Sequence, residues 1–125
     1  MFEVEEILND SILFYRVHKT YVRDGQLIPG VFKERGEGVE KGMSTDWNKY
    51  STAEQALERS ANIQDNGIVE GIIEKIRNIP LPVVHFPYDY NRAHSNILQL
   101  GEGVQLTNNR RMLLLVFSQW SIKIA

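Results

Sequence analysis

The longest uninterrupted apolar run in this 125-residue chain is six residues, Met112 to Phe117, and glycine, proline and short polar clusters break up the rest. A membrane span needs about 20 such residues, so the pattern predicts a chain built from short elements around one water-excluding core. Without cysteine, that core forms with no disulfide to help it. The same absence excludes thiolate metal sites, iron–sulfur clusters and a cysteine nucleophile. The apolar fraction of 42% and charged fraction of 24% are those of a folded protein. One core serves a chain of this length, giving a single domain over residues 1–125 with a radius of gyration of roughly 14 Å. Lys and Arg total 14 against 16 Asp and Glu, a net charge of −2, which argues against a general nucleic-acid surface. The acidic start, Met1 to Glu6, lacks the basic and apolar pattern of an export signal, and a cytoplasmic location is expected.

The periods point to mixed α and β structure. Ser11 to His18 is rich in β-branched and aromatic residues and reads as a strand, with Leu13, Tyr15 and Val17, or the alternate set, facing the core. Asp24-Gly25 is a turn signal, and Ile28 to Phe32 after it reads as an edge or irregular strand. Lys33 to Gly42, with three glycines and six charges, has the composition of a mobile surface loop. Ser51-Thr52-Ala53-Glu54 predicts a capping box with Ser51 as the cap, opening a helix from about Thr52 to Ser60. Gly67 to Ile79 fits both periods; its β-branched residues favour a strand over Gly67–Ile73 followed by a helical turn to Asn78. Val83 to Phe86 forms a short strand between prolines. Asn91 to Leu100 opens with a turn and continues as helix or strand. Asn108 to Trp120 has helical spacing after a Thr107 or Asn108 cap, and Ser121 to Ile124 alternates as a closing strand. The expected class is α+β, a mostly antiparallel irregular sheet with two principal helices.

Chemistry-bearing residues are few. Arg16 and His18 lie two apart on the first strand and so share a face, as an anion binder requires. Asn91-Arg92-Ala93-His94-Ser95-Asn96 is a dense polar cluster after the aromatic Phe86 to Tyr90, and adjacent aromatic and hydrogen-bonding groups suit a ligand or partner site. Asp89, Asn91, Arg92, His94 and Ser95, with Arg16 and His18, are the candidate binding residues. Capping and turn chemistry also accounts for the cluster, with Asn91 as an N-cap and Tyr88 and Tyr90 on the core. His85 and His94 offer an acid–base pair, but nine residues across a proline turn is not a metal-ligand spacing, and no metal is expected. Ser44-Thr45-Asp46-Trp47 places a Ser/Thr pair before the capped helix, either contacting a ligand or holding a turn. Arg110-Arg111 opposes the dipole at the start of the last helix.

Across most of its length, through Tyr15-Arg16-Val17-His18, Met43 to Trp47 and Asn91 to Ser95, the chain resembles small uncharacterised bacterial proteins. A looser resemblance is to ADP-ribosyltransferase-type folds. It implies NAD as the cofactor consumed, with Arg16 or His18 on an early strand, Ser44-Thr45 after a loop, and Glu70 or Glu74 as the later acid. The leading expectation is a binding or interaction module for a protein partner or a small anionic ligand, with no cofactor. Its exposed apolar surface would include Tyr88, Tyr90 or Phe32. The alternatives are an enzyme, NAD-consuming or hydrolytic through His85 and His94, and an immunity or antitoxin-like partner. An enzyme requires Arg16, His18 and either Ser44 or His94 to converge on one pocket.

Overall fold

A computed structural model describes residues 1–36, 41–97 and 106–125. In chain order its strands are β1 (Ile12–His18), β2 (Val22–Arg23), β3 (Gln26–Leu27), β4 (Met43–Trp47), β5 (Asn66–Ile72), β6 (Val83–His85), β7 (His94–Ile97) and β8 (Ser118–Ile122). The helices are α1 (Ala53–Glu58), α2 (Ile73–Arg77) and the longer α3 (Asn108–Phe117). Six strands form one sheet in the order β6-β7-β4-β1-β5-β8, and every neighbouring pair runs antiparallel. The result is a single α+β domain.

Because β1 is central, both of its faces are covered. Leu13, Tyr15 and Val17 point to one side, where Leu13 pairs with Trp47 and Tyr15 with Val69. With Met43, Val83, Ile97, Ile73, Ile76 and Leu114 they form the main core, closed by α2 and α3. Phe14 points to the other side, where Ala53 and Ala56 of α1 pack on Ile68. This second cluster is small and covers only the β1–β5–β8 part of that face. On the same face of β4 and β7, Ser44, His94 and Asn96 line an open cleft among the described residues.

Local chemistry explains most boundaries. Asp24 and Gly25 both take positive φ, 52° and 77°, the conformation a two-residue hairpin between β2 and β3 demands. The Gly67–Ile79 stretch resolves as strand then helix. All seven residues of β5 pair with β1, and the amide of Ile73 donates to the Ser11 carbonyl as the chain turns into α2.

Other expectations shift. The capping box lies one residue later than Ser51. Thr52 accepts from the Gln55 amide, and the Gln55 side chain accepts from the Thr52 amide. Ser51 instead turns inward beside Arg59. Ile28 to Phe32 is not a strand. Pro29–Val31 forms a 3-10 helix, and Phe32 is buried in the core rather than on an exposed patch. The last helix stops at Phe117, not Trp120, because Ser118 to Ile122 find open pairing sites along β5, with Trp120 opposite Val69. The loop reading of Lys33 to Gly42 falls partly outside the described residues. Its described ends are joined by an antiparallel bridge between Arg35 and Gly42. After the turn at Asn91 the chain continues as the strand β7, and residues 98–100 lie outside the described set.

Candidate functional site

Three strands supply the floor of a cleft of about 450 Å³, on the face that α1 leaves uncovered. Strand alternation dictates which side chains reach it. Arg16 comes from β1, Ser44 from β4, and His94 and Asn96 from β7, where Ser44 pairs with Asn96 and Asp46 with His94. Arg59 after α1, the Arg35–Gly42 bridge and the Tyr88–Asn91 turn form its walls. A second hollow of about 600 Å³ continues past Arg16, Arg35, Ser44 and Arg59 toward His18, Thr20 and Asn66. At the opposite rim the rings of Tyr88 and Tyr90 stack at 5.2 Å, inclined by 8°, with Tyr90 exposed.

Beneath the floor lies Asp46, only 2% exposed. Its Oδ2 takes Nη1 of Arg59 at 3.1 Å and Nη1 of Arg16 at 3.4 Å, and its Oδ1 accepts from Asn91 Nδ2 at 2.8 Å. A carboxylate buried this far needs such partners, since an uncompensated buried charge costs several kcal/mol. The Arg16 guanidinium also donates to the Ala56 carbonyl at 3.1 Å, and Arg59 to Ser51 Oγ at 3.0 Å. Both arginines are therefore fixed in direction, with about 30% of each side chain left accessible. Arg35 adds a further guanidinium at the mouth, where no hydrogen bond or ion pair with a described residue engages it. Among the described residues no Asp or Glu lines either hollow, and Asp46 is the carboxylate that engages Arg16 and Arg59.

Beside them sits a serine–histidine pair. Nδ1 of His94 is 2.7 Å from the Phe86 carbonyl, which can only accept, so Nδ1 carries the proton. Nε2 is then the acceptor, and Ser44 Oγ donates to it at 2.9 Å. Burial holds the His94 imidazole below the usual histidine range and Arg16 adds to this; the Phe86 carbonyl and Asp46 oppose it only in part. The ring is clamped by Tyr88 at 4.5 Å and by the edge of Phe86 at 6.3 Å. Asn96 is 1% exposed, and its Nδ2 has no hydrogen-bond partner among the described residues.

The remaining candidates go elsewhere. His18 is at the far end of the second hollow, its Nδ1 accepting from the Thr20 amide as a cap. His85 and Ser95 pair across β6 and β7 and point to the opposite face from His94. His85 is a structural tie, accepting from the Glu5 amide through Nδ1 and donating from Nε2 to the Arg92 carbonyl. His85 and His94 therefore do not form an acid–base pair. Ser95 Oγ donates to the Ala93 carbonyl. Arg92 stacks on Tyr50 and Phe2, and Asp89 is exposed near the N-terminal amine. Glu70 accepts from Ser121 Oγ, Glu74 is exposed on α2, and neither lines a hollow with Arg16. Arg111 donates to the Phe32 carbonyl, a structural role at the start of α3. Asn91 caps no helix; its side chain bridges the Ala93 amide and Asp46. No cluster of three potential metal ligands exists among the described residues.

Reading the sequence brought Arg16, Ser44, Asn91 and His94 forward, and they meet. It missed Asp46, Arg59, Arg35 and the role of Asn96. The i, i+2 rule that paired Arg16 with His18 also pairs Ser44 with Asp46 and His94 with Asn96, so part of the signal was present. No protein family, curated protein or solved structure matches the chain.

Proposed function

We propose that the protein is a binding module for a small anionic ligand, held in the cleft between β1, β4, β7 and the Arg59 end of α1. The observation that carries this reading is the charge imbalance: Arg16, Arg35 and Arg59 surround a space whose described lining holds no carboxylate, over the single buried Asp46. Guanidiniums held in direction by their neighbours lose little freedom on binding and offer the paired donors that phosphate and carboxylate oxygens accept. The stacked Tyr88 and Tyr90 give the ligand an apolar wall beside its charged end.

The NAD-consuming alternative has less support, since Glu70 and Glu74 line neither hollow and the acid it requires is not beside Arg16.

Calorimetric titration with inorganic pyrophosphate and with succinate tests the reading. Binding of at least one is expected, weakened roughly 10-fold or more by Arg35→Gln, the range for one charged hydrogen bond. Absence of binding of both at millimolar concentration, or an affinity indifferent to Arg35→Gln and Arg59→Lys alike, would remove it.

A further inference from the structure

We propose that the cleft is also an esterase site, in which Ser44 is the nucleophile, His94 its general base and Asn96 Nδ2 the donor to the developing oxyanion. The substrate class is a carboxylic ester bearing an anionic group. That choice of class rests on the anion-binding reading, whereas the nucleophile does not.

Three features meet at one point. Ser44 lines both hollows, and its Oγ donates to His94 Nε2 at 2.9 Å, within reach for proton transfer. His94 is oriented by the Phe86 carbonyl at 2.7 Å, which fixes the tautomer a base needs, so nucleophile, base and orienting group follow in line. A buried amide donor without a partner is costly to keep, and Asn96 Nδ2 has none among the described residues. Asn96 is the register partner of Ser44 across β4 and β7, on the same face, where Cβ atoms lie about 5 Å apart. An oxygen anion formed on a carbon bonded to Ser44 Oγ would develop on the face of the sheet that carries Asn96. Arg16 and Arg59 are held by Asp46, remain about 30% accessible and line the same cleft as Ser44, so they are available to an anionic substituent.

The chemistry balances without a cofactor. Ser44 Oγ forms a bond to the ester carbon as its proton passes to His94 Nε2, and the carbonyl π pair moves onto the oxygen facing Asn96. As the carbonyl re-forms, the bond to the alcohol oxygen breaks and that oxygen takes the proton from Nε2. Water then attacks the acyl-serine, giving its proton to Nε2 and thence to Ser44 Oγ. The net reaction is ester plus water to acid plus alcohol.

The test uses the full chain, a fluorophosphonate, and two chromogenic esters, mono-p-nitrophenyl succinate and neutral p-nitrophenyl acetate. Peptide mapping should place the phosphonate on Ser44, with no adduct in Ser44→Ala. His94→Gln should slow both labelling and turnover by about 100-fold or more, the range for a general base. Asn96→Ala should lower kcat more than it raises KM. To separate lost function from lost fold, Ser44→Cys is alkylated with iodoacetamide at pH 6. It should react faster than the Ser44→Cys, His94→Gln double variant, because His94 draws off the thiol proton. No adduct on Ser44, an adduct elsewhere, or equal rates with and without His94 overturns the esterase. If pyrophosphate or succinate still binds the wild type, the anion site survives that failure. Labelling of Ser44 without preference for the succinate ester, and without anion binding, instead removes the anion reading and leaves the nucleophile.

Discussion

At the scale of single residues, the position of His94 decides what the cleft can do. Its Nε2 is free to accept because Nδ1 is committed to the Phe86 carbonyl, and burial keeps the ring neutral. The same burial links it to stability. The unfolded chain takes up a proton at the ordinary histidine value of about 6.5, while the folded chain resists it to lower pH. The contribution is therefore fully present above about pH 6.5 and is lost as pH falls toward the folded value, at no more than about 1.4 kcal/mol per pH unit. Urea unfolding midpoints for the wild type should drop between pH 7.5 and pH 5.5 more steeply than for His94→Gln. Parallel slopes would show that His94 is not the group responsible. Asp46 is a contrasting residue: it touches no open space, yet it sets the directions of Arg16, Arg59 and Asn91 at once.

Among the elements, β5 has the least freedom to vary. Gly67 faces Val17 on β1, and a Cβ there would come within 2.6 Å of the Ile122 carbonyl and 3.0 Å of the Trp120 ring. The obstacle includes backbone of β8, so the sheet itself must move. Gly67→Ala should cost about 1–3 kcal/mol, in the range of overpacking, read as a lower urea midpoint with unchanged slope. A neutral result would mean that β8 can step away from β5 without loss. The helices show a related dependence on context. The spacing of Asn108 to Trp120 is helical throughout, yet the chain leaves the helix at Ser118, the first residue of β8, whose Oγ donates back to the Leu114 carbonyl. Side-chain period alone does not distinguish a helix end from an unfilled strand position on a neighbouring sheet.

Over the whole molecule, a net charge of −2 coexists with a cleft whose described lining holds Arg16, Arg35 and Arg59 and no carboxylate. Of Arg16, Arg92, Arg110 and Arg111, the arginines that stood out in the sequence, only Arg16 lines it. Its companions there are Arg35 and Arg59. Because Arg35 is exposed at the mouth, its attraction for an anion is open to screening, and the Debye length shrinks from about 10 Å at 0.1 M salt to about 3 Å at 1 M. Pyrophosphate affinity should fall several-fold over that range for the wild type and less for Arg35→Gln; a salt-independent affinity would contradict the charge argument. The sequence by itself determined what depends on neighbours along the chain. These are the Asp24-Gly25 turn, a first strand with Leu13, Tyr15 and Val17 or the alternate set inward, a helix cap at Thr107 or Asn108, a change from strand to helix near Ile73, and the α+β class. It did not determine which polar residues share a face of the sheet, because that follows from strand order and register. Placing β4 between β1 and β7 brings Arg16, Ser44, Asp46, His94 and Asn96 onto one surface. The same pairing turns His85 and Ser95 to the other side, since a strand reverses its side chains at every residue.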